Sequence, residues 1–234
     1  MKKIVSYMLA AALSAIACQN MEQPTEHADI EKDVFHASIE DISTKTTLNE
    51  ENGVAWSKGD QITIYNRKTL GSRYQVKDSY EGQTSASFFS VSSDDFGEEY
   101  PLDHIIAYYP ASGVSECSQN GSAYQLSVSL PSSQTYSEAS FGQGSFPMVA
   151  ISGSSDLSFR NICGAIRLPL TGIVKVASVK ITGRGNEKLS GNAFVTVGEG
   201  NAKPEISMSD KASASVTLDC GDGVQLHDGK ATDF

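Results

Sequence analysis

Along most of this chain apolar residues recur at every second position, in short runs that end in glycine, proline or serine-rich turns. Tyr124-Gln-Leu-Ser-Val-Ser-Leu130 shows this most clearly: Leu126, Val128 and Leu130 alternate with polar residues until Pro131 stops the run. A period of two marks a β-strand with one face in a core and the other in water. No apolar period of 3.6 with a polar face persists after residue 20, which excludes helices as the main scaffold. The chain is expected to be all-β.

The first strand is expected at Val34-Phe-His-Ala-Ser-Ile39, with Phe35, Ala37 and Ile39 on one face. Gly53-Val-Ala-Trp-Ser57 reads as a strand with Val54 and Trp56 inward. The turn Lys58-Gly59-Asp60 follows, where glycine permits positive φ. Further strands are expected at 61–65, 73–76, 85–91, 104–109, 124–130 and 145–151. Short strands at this spacing, with turn signals between them, indicate a sandwich.

Leu157 to Gly172 carries apolar residues on both parities: Ile162, Gly164, Ile166, Leu168 and Leu170 on one, Phe159, Cys163 and Ala165 on the other. That pattern reads as a central strand covered on both faces, and as a seam between one β-sandwich at 34–156 and another beginning at 157–234. Strands continue at 176–183, 189–197, 204–208 and 213–220. About 75 residues after the seam hold about five strands, few for a closed sandwich, so the second domain is expected to be incomplete.

The N-terminus reads as an address. Met1-Lys2-Lys3 is a positive n-region, and Ile4 to Ala17 is an apolar run of about 14 residues, too short to span a bilayer comfortably. The signal segment is therefore 1–17, and it ends Ala15-Ile16-Ala17-Cys18. Small residues before a cysteine resemble the lipobox of bacterial lipoproteins, in which that cysteine is acylated. Ala15 stands where leucine is preferred, and plain cleavage after Ala-x-Ala with Cys18 incidental is the competing reading. Residues 18–33 are polar and lack a core-forming pattern, as a tether would. Acyl chains on Cys18 would anchor the protein, each buried methylene contributing about 0.8 kcal/mol.

The formal charge is −10; without residues 1–17 it would be 16 basic against 28 acidic residues, or −12. Such a surface is repelled by phosphate backbones, so no nucleic-acid partner is expected.

A longer set of short motifs, in order, is similar to the fimbrillin-like (Mfa-like) lipoproteins of Bacteroides-type bacteria. They are Phe35-x-Ala37-x-Ile39-Glu40, Thr44-Lys-Thr46, Trp56-Ser-Lys-Gly-Asp60-x-Ile62, Ala107-Tyr-Tyr-Pro110, Leu130-Pro-x-x-Gln134, Pro147-Met-Val-Ala150, Phe159-Arg-Asn-Ile-Cys-Gly-Ala-Ile166, Ile181-Thr-Gly183 and Leu189-Ser-Gly191. The resemblance implies tandem transthyretin-like β-sandwich domains, the second incomplete here. It also implies a structural or adhesive subunit of a type V pilus (fimbrium), lipid-anchored in the outer membrane at the cell surface. Its partners would be other pilus subunits, bound by β-strand addition after a protease removes the first strand. The removable strand would be Val34 to Ile39 and the processing position Lys45. No arginine precedes Arg67, which favours an anchor, accessory or adhesin role over a shaft subunit.

Sites of chemistry are sparse. Cys163 and Cys220 read as two buried free thiols, with a disulfide across 57 residues as the competing candidate; Cys117 is expected unpaired in a Ser/Gly-rich loop. His27, His36, His104 and His227 show no metal-ligand spacing. Asp94 to Glu99 and Asp219 to Asp222 lack the spacing of a calcium loop and read as solvated turns. No Gly-x-Ser-x-Gly elbow occurs, and no serine stands in a recognisable frame with a histidine and an acid. Trp56 alternates with Val54 and reads as core, while Tyr108 and Tyr109 point to opposite faces, one core and one surface. Neither catalysis, a metal nor a cofactor is expected. The reading from another class is a surface glycan-binding lipoprotein, which an exposed aromatic platform would favour.

Overall fold

The computed structural model describes residues 34–40, 54–68, 70–91, 102–138, 140–200 and 203–234. Cys18, Lys45, the signal segment and the tether lie outside the described residues. The chain is all-β, as its period-two patterning requires. No helix among the described residues is long and apolar enough to cross a membrane.

Seven strands close into a barrel: β1 (Val34–Ile39), β2 (Gln61–Asn66), β3 (Ser72–Val76), β4 (Ser85–Ser90) and β5 (Ile105–Tyr109), joined after an excursion by β9 and β10. That excursion is β6 (Val114–Asn120), β7 (Ala123–Leu130) and the short β8 (Ser133–Thr135), with β9 at Met148–Ser152 and β10 at Asp156–Asn161. Around the barrel the order is β1-β10-β9-β5-β2-β3-β4, and β4 returns to β1. Closure leaves this sheet without a free edge.

The barrel interior is filled by alternate residues of each strand, among them Phe35, Ala37, Ile62, Ile64, Phe88, Ala107, Leu157 and Phe159. Trp56 lies at its centre, edge-on to the rings of Phe88, Tyr109 and Phe159 at centroid distances of 4.9, 5.5 and 5.5 Å. Each such pair contributes about 0.5–1.5 kcal/mol beyond the area it buries. Residues 54–57 reach this core as a loop rather than the expected strand, because their backbone groups bond to the turn after β3: Trp56 N–H donates to Gln83 O at 2.9 Å.

A four-stranded sheet covers one outer wall of the barrel. Beyond β10 the chain forms β11 (Pro169–Leu170), β12 (Lys175–Thr182), β13 (Gly191–Gly198), β14 (Glu205–Met208), β15 (Ser215–Gln225) and β16 (Thr232–Asp233). The covering sheet has the order β14-β13-β7-β6. Tyr124, Leu126, Val128 and Leu130 of β7 and Ala193, Val195 and Val197 of β13 face the outward residues Tyr65, Ile106, Tyr108 and Val149 of the barrel. β7 thus has the one wet and one dry face that its alternation with serine demanded.

Strand β5 is buried at all five positions, since Ile105, Ala107 and Tyr109 enter the barrel while Ile106 and Tyr108 enter the second core. This is the strand covered on both faces, not residues 162–170. There the ladder stops at Asn161, and Gly164 to Leu168 form no strand, with Ile166 62% exposed. Glycine brings no side chain to pack and Pro169 no N–H to pair, so the alternation could not be realised as a central strand. Tyr108 and Tyr109 do point to opposite faces, but both are core: each face of β5 has its own. Strand pairing also crosses the expected boundary at Leu157, through the eight-residue register of β7 with β13 and the parallel pairing of β8 with β15. Residues Asp33 to Phe234 form one unit.

The turn at Gly59 has φ +80°, as expected, and Asp60 N–H donates to Ser57 O at 3.0 Å. Asp60 is 3% exposed and is held from three sides. It accepts from Ser57 N–H at 2.8 Å, Tyr109 O–H at 2.9 Å and Gln143 Nε2–H at 3.1 Å. Gly144 N–H in turn donates to the Tyr109 oxygen at 2.9 Å. This network ties two loops together at one end of the barrel, and burial beside Asp60 raises the Tyr109 pKa.

Candidate functional site

The site centres on β1. This strand closes the barrel between two partners of opposite sense: antiparallel to β4, with Phe35 opposite Phe88 and Ala37 opposite Ala86, and parallel to β10, with Ala37 opposite Leu157 and Ile39 opposite Phe159. Phe35 and Ala37 are 3% and 2% exposed, and the Phe35 ring meets Tyr74 edge-on at 5.0 Å. The inward residues fasten the strand to the core, while its backbone satisfies the edges of both neighbours. Residue Glu40 continues the β10 side, its N–H donating to Phe159 O at 2.9 Å.

Glu40 also fixes the end of the strand by its side chain. Its carboxylate accepts from Arg160 Nε at 2.8 Å and from Ser158 Oγ at 3.0 Å. The Arg160 hydrogen bond, opposed by partial burial, holds the Glu40 carboxyl below its ordinary range.

On the outside, β4, β1 and β10 present two lateral rows. Register places Ser87, His36 and Asp156 side by side, and Ser85, Ser38 and Ser158 side by side two residues further on. These six line a surface groove of about 440 Å³, completed by Tyr80 and Gln83 from the turn before β4. His36 Nδ1 lies 3.0 Å from Ser87 Oγ, and Tyr80 O–H donates to the same oxygen at 3.2 Å.

The first row has the residue types of a hydrolytic triad without its wiring. His36 meets the serine through Nδ1, and among the described residues Asp156 makes no hydrogen bond or ion pair to the ring. The strand N–H groups are engaged in ladders and do not converge as an oxyanion hole. What the row offers is a set of hydrogen-bonding groups on a rigid wall. The sequence showed that His36 and Ser38 lie opposite Phe35 and Ala37. It carried no sign that Asp156, 120 positions after His36, lies beside it.

A second groove of about 460 Å³ runs between β9, β10 and the end of β13, lined by Glu40, His104, Arg160 and Glu199 among others. His104 Nδ1 is 2.9 Å from Tyr124 Oη and 3.7 Å from Glu199. Its charged groups are engaged with one another.

The cysteines stand apart. Cys117, Cys163 and Cys220 are free thiols, so the candidate pair Cys163–Cys220 is not bridged. Cys163 packs beside the second core, next to Tyr108, whereas Cys220 lies on β15, far along a different sheet. Cys117 is not in a loop but on β6, 1% exposed, facing the second core. Its serine-rich surroundings concealed a strand whose other face is wet. Burial pushes its thiol pKa up to about 12 and that of Cys163 up to about 11. No group of three or more metal-ligating side chains forms among the described residues.

Comparison with family models, curated proteins and solved structures gives no match to this chain.

Proposed function

We propose that this chain is a cell-surface structural or adhesive lipoprotein of the fimbrillin type. It is anchored in the outer membrane through Cys18 and assembles with other pilus subunits by strand exchange. The supporting observation is the way β1 closes the barrel. It is a short strand with two fully buried apolar residues, Phe35 and Ala37, and a third, Ile39, packed against the same core; residues 41–53, which include Lys45, join it to the rest of the barrel. Cutting that connection would leave β1 held by side-chain burial, ladder hydrogen bonds and the bonds of Glu40 to Arg160 and Ser158.

Those terms suit exchange. Burying a phenylalanine is worth about 1.5–3 kcal/mol, and each net hydrogen bond about 0.5–1.5 kcal/mol. The sum holds a strand in place yet can be matched by a strand of similar pattern from another copy. The vacated slot would expose the edges of β4 and β10 and the pockets of Phe35 and Ala37. On the same reading the chain is built from tandem transthyretin-like sandwiches, with strands of the two paired through β7 and β13.

Intact mass and N-terminal mapping of the protein from bacterial membranes test this. A chain starting at acylated Cys18 with β1 retained identifies an anchor or accessory subunit. One starting after Lys45 without lipid identifies a polymerising subunit. A soluble, unacylated chain that retains β1 contradicts the proposal.

A further inference from the structure

We propose that the outer wall of β4, β1 and β10 is a binding site for a neutral saccharide, with Asp156 and His36 supplying its principal polar contacts. The groove is within the size range of small-ligand sites, which runs from about 300 to 1,000 Å³. Its lining decides the class of ligand. Four serine hydroxyls, an imidazole, a carboxylate and the Gln83 amide face it, and among the described residues no lysine or arginine does. A phosphate or an acidic sugar would find no positive charge there, and a lone carboxylate beside one imidazole is too few ligands for a metal ion.

A peptide is disfavoured for a different reason. Strand addition needs a long unpaired edge; each strand of this wall has a neighbour on both sides in the closed barrel, and only the short stretches Ser85–Ser87 of β4 and Asp156–Phe159 of β10 lie outside the ladders with β3 and β9. A saccharide needs none, because it is recognised by side-chain donors and acceptors. Adjacent strands lie about 4.8 Å apart, so each row spaces its polar groups comparably with hydroxyls across a pyranose ring.

The groups on the wall are not equally free. Ser87 Oγ is engaged by His36 and Tyr80, and Ser158 Oγ donates to Glu40. These bonds fix His36 and Tyr80 in place before a ligand arrives. The Asp156 carboxylate has no side-chain partner among the described residues, and its backbone is held by the Ser154 hydroxyl at 3.2 Å. A carboxylate on a rigid strand, with its acceptor sites open, is suited to taking hydroxyl donors from a sugar. Tyr80 is half-buried and adds an aromatic surface to the same groove. The site requires a copy that keeps its own first strand, because His36 and Ser38 lie on β1, so it is tested on the uncleaved chain.

The experiment is saturation-transfer NMR on the full chain in detergent micelles. The probes are neutral saccharides (glucose, galactose, mannose, N-acetylglucosamine and lactose) alongside the acidic glucuronic and N-acetylneuraminic acids. At least one neutral saccharide should give signals that vanish in Ser38→Leu, which fills the groove. Asp156→Ala should weaken its affinity about tenfold or more, as loss of a charged hydrogen bond does. Trp56 emission serves as the control that each variant keeps its barrel. Absence of signal from every neutral probe, signals unchanged in Ser38→Leu, or binding of the acidic sugars in preference would overturn the proposal.

Discussion

The Glu40 carboxylate accepts a hydrogen bond from Arg160 Nε at 2.8 Å, across 120 residues of sequence. One residue thereby ends β1 and locks it to the strand that flanks it in parallel. Both side chains are partly exposed, at 41% and 22%, so the pair is worth at most about 1 kcal/mol after solvent screening. Its pH dependence is nonetheless definite. A carboxyl whose folded pKa lies below its ordinary 4.5 stabilises fully above that value and loses the contribution as pH falls through the lower folded pKa. Urea unfolding of the native chain and of Glu40→Gln should differ by a constant amount above pH 4.5 and converge below it. A difference that grows on acidification would contradict this assignment.

Phe35 is the residue that makes β1 a strand of the core rather than a surface ribbon. Phe35→Ala should cost about 3–5 kcal/mol, the range for truncating a buried aromatic ring. Trp56 is the single tryptophan of the chain and lies 1% exposed in the barrel, so its emission reports the transition directly. His36→Ala, on the outer face of the same strand, should change stability by less than about 0.5 kcal/mol.

The buried carboxylate of Asp60 depends on Tyr109 for one of its donors. Tyr109→Phe keeps the ring in the Trp56 cluster and removes only the hydroxyl. It should destabilise by about 1–3 kcal/mol, the cost of leaving a buried polar group short of a partner. A neutral Tyr109→Phe substitution would mean that water takes over the position.

Cys117 should be chemically silent in the folded protein. Its thiol is buried and its pKa is pushed up to about 12, so almost no thiolate exists at neutral pH. Mass spectrometry after alkylation at pH 8 should find Cys117 unmodified in the native state and modified in denaturant. Rapid native-state labelling would place it at the surface, contrary to its position between the sheets.

The all-β class and most strand positions were legible because parity survives in the sequence: β1, β7 and β13 each show their inward face directly. What was not legible is pairing over distance. The parallel contact of β1 with β10 and the union of β7 with β13 rest on surfaces separated by scores of residues, and no local pattern encodes them. β6 was missed because Cys117 sits among serine, glutamate and glutamine, which resemble a loop until one sees that only one face must be dry. The seam at Leu157 misled for the opposite reason. Its apolar residues alternate, but the ladder of β10 ends at Asn161 and resumes only as the two-residue β11 against β16, so no central strand forms between them. The row of Ser87, His36 and Asp156 combines three strands, so each member looked like an ordinary outward residue until register aligned them.

Exchange of the first strand can be read from uptake of a fluorescent Val34–Ile39 peptide. The host is the full chain with a single protease site placed in 41–53. After complete cleavage the original strand should be displaced and the labelled one taken up saturably, with Trp56 still buried. The uncut chain should take up none, and neither should the cut chain accept a peptide carrying Phe35→Asp. A cut, folded barrel that keeps its own strand and refuses the peptide at every concentration would rule out strand exchange.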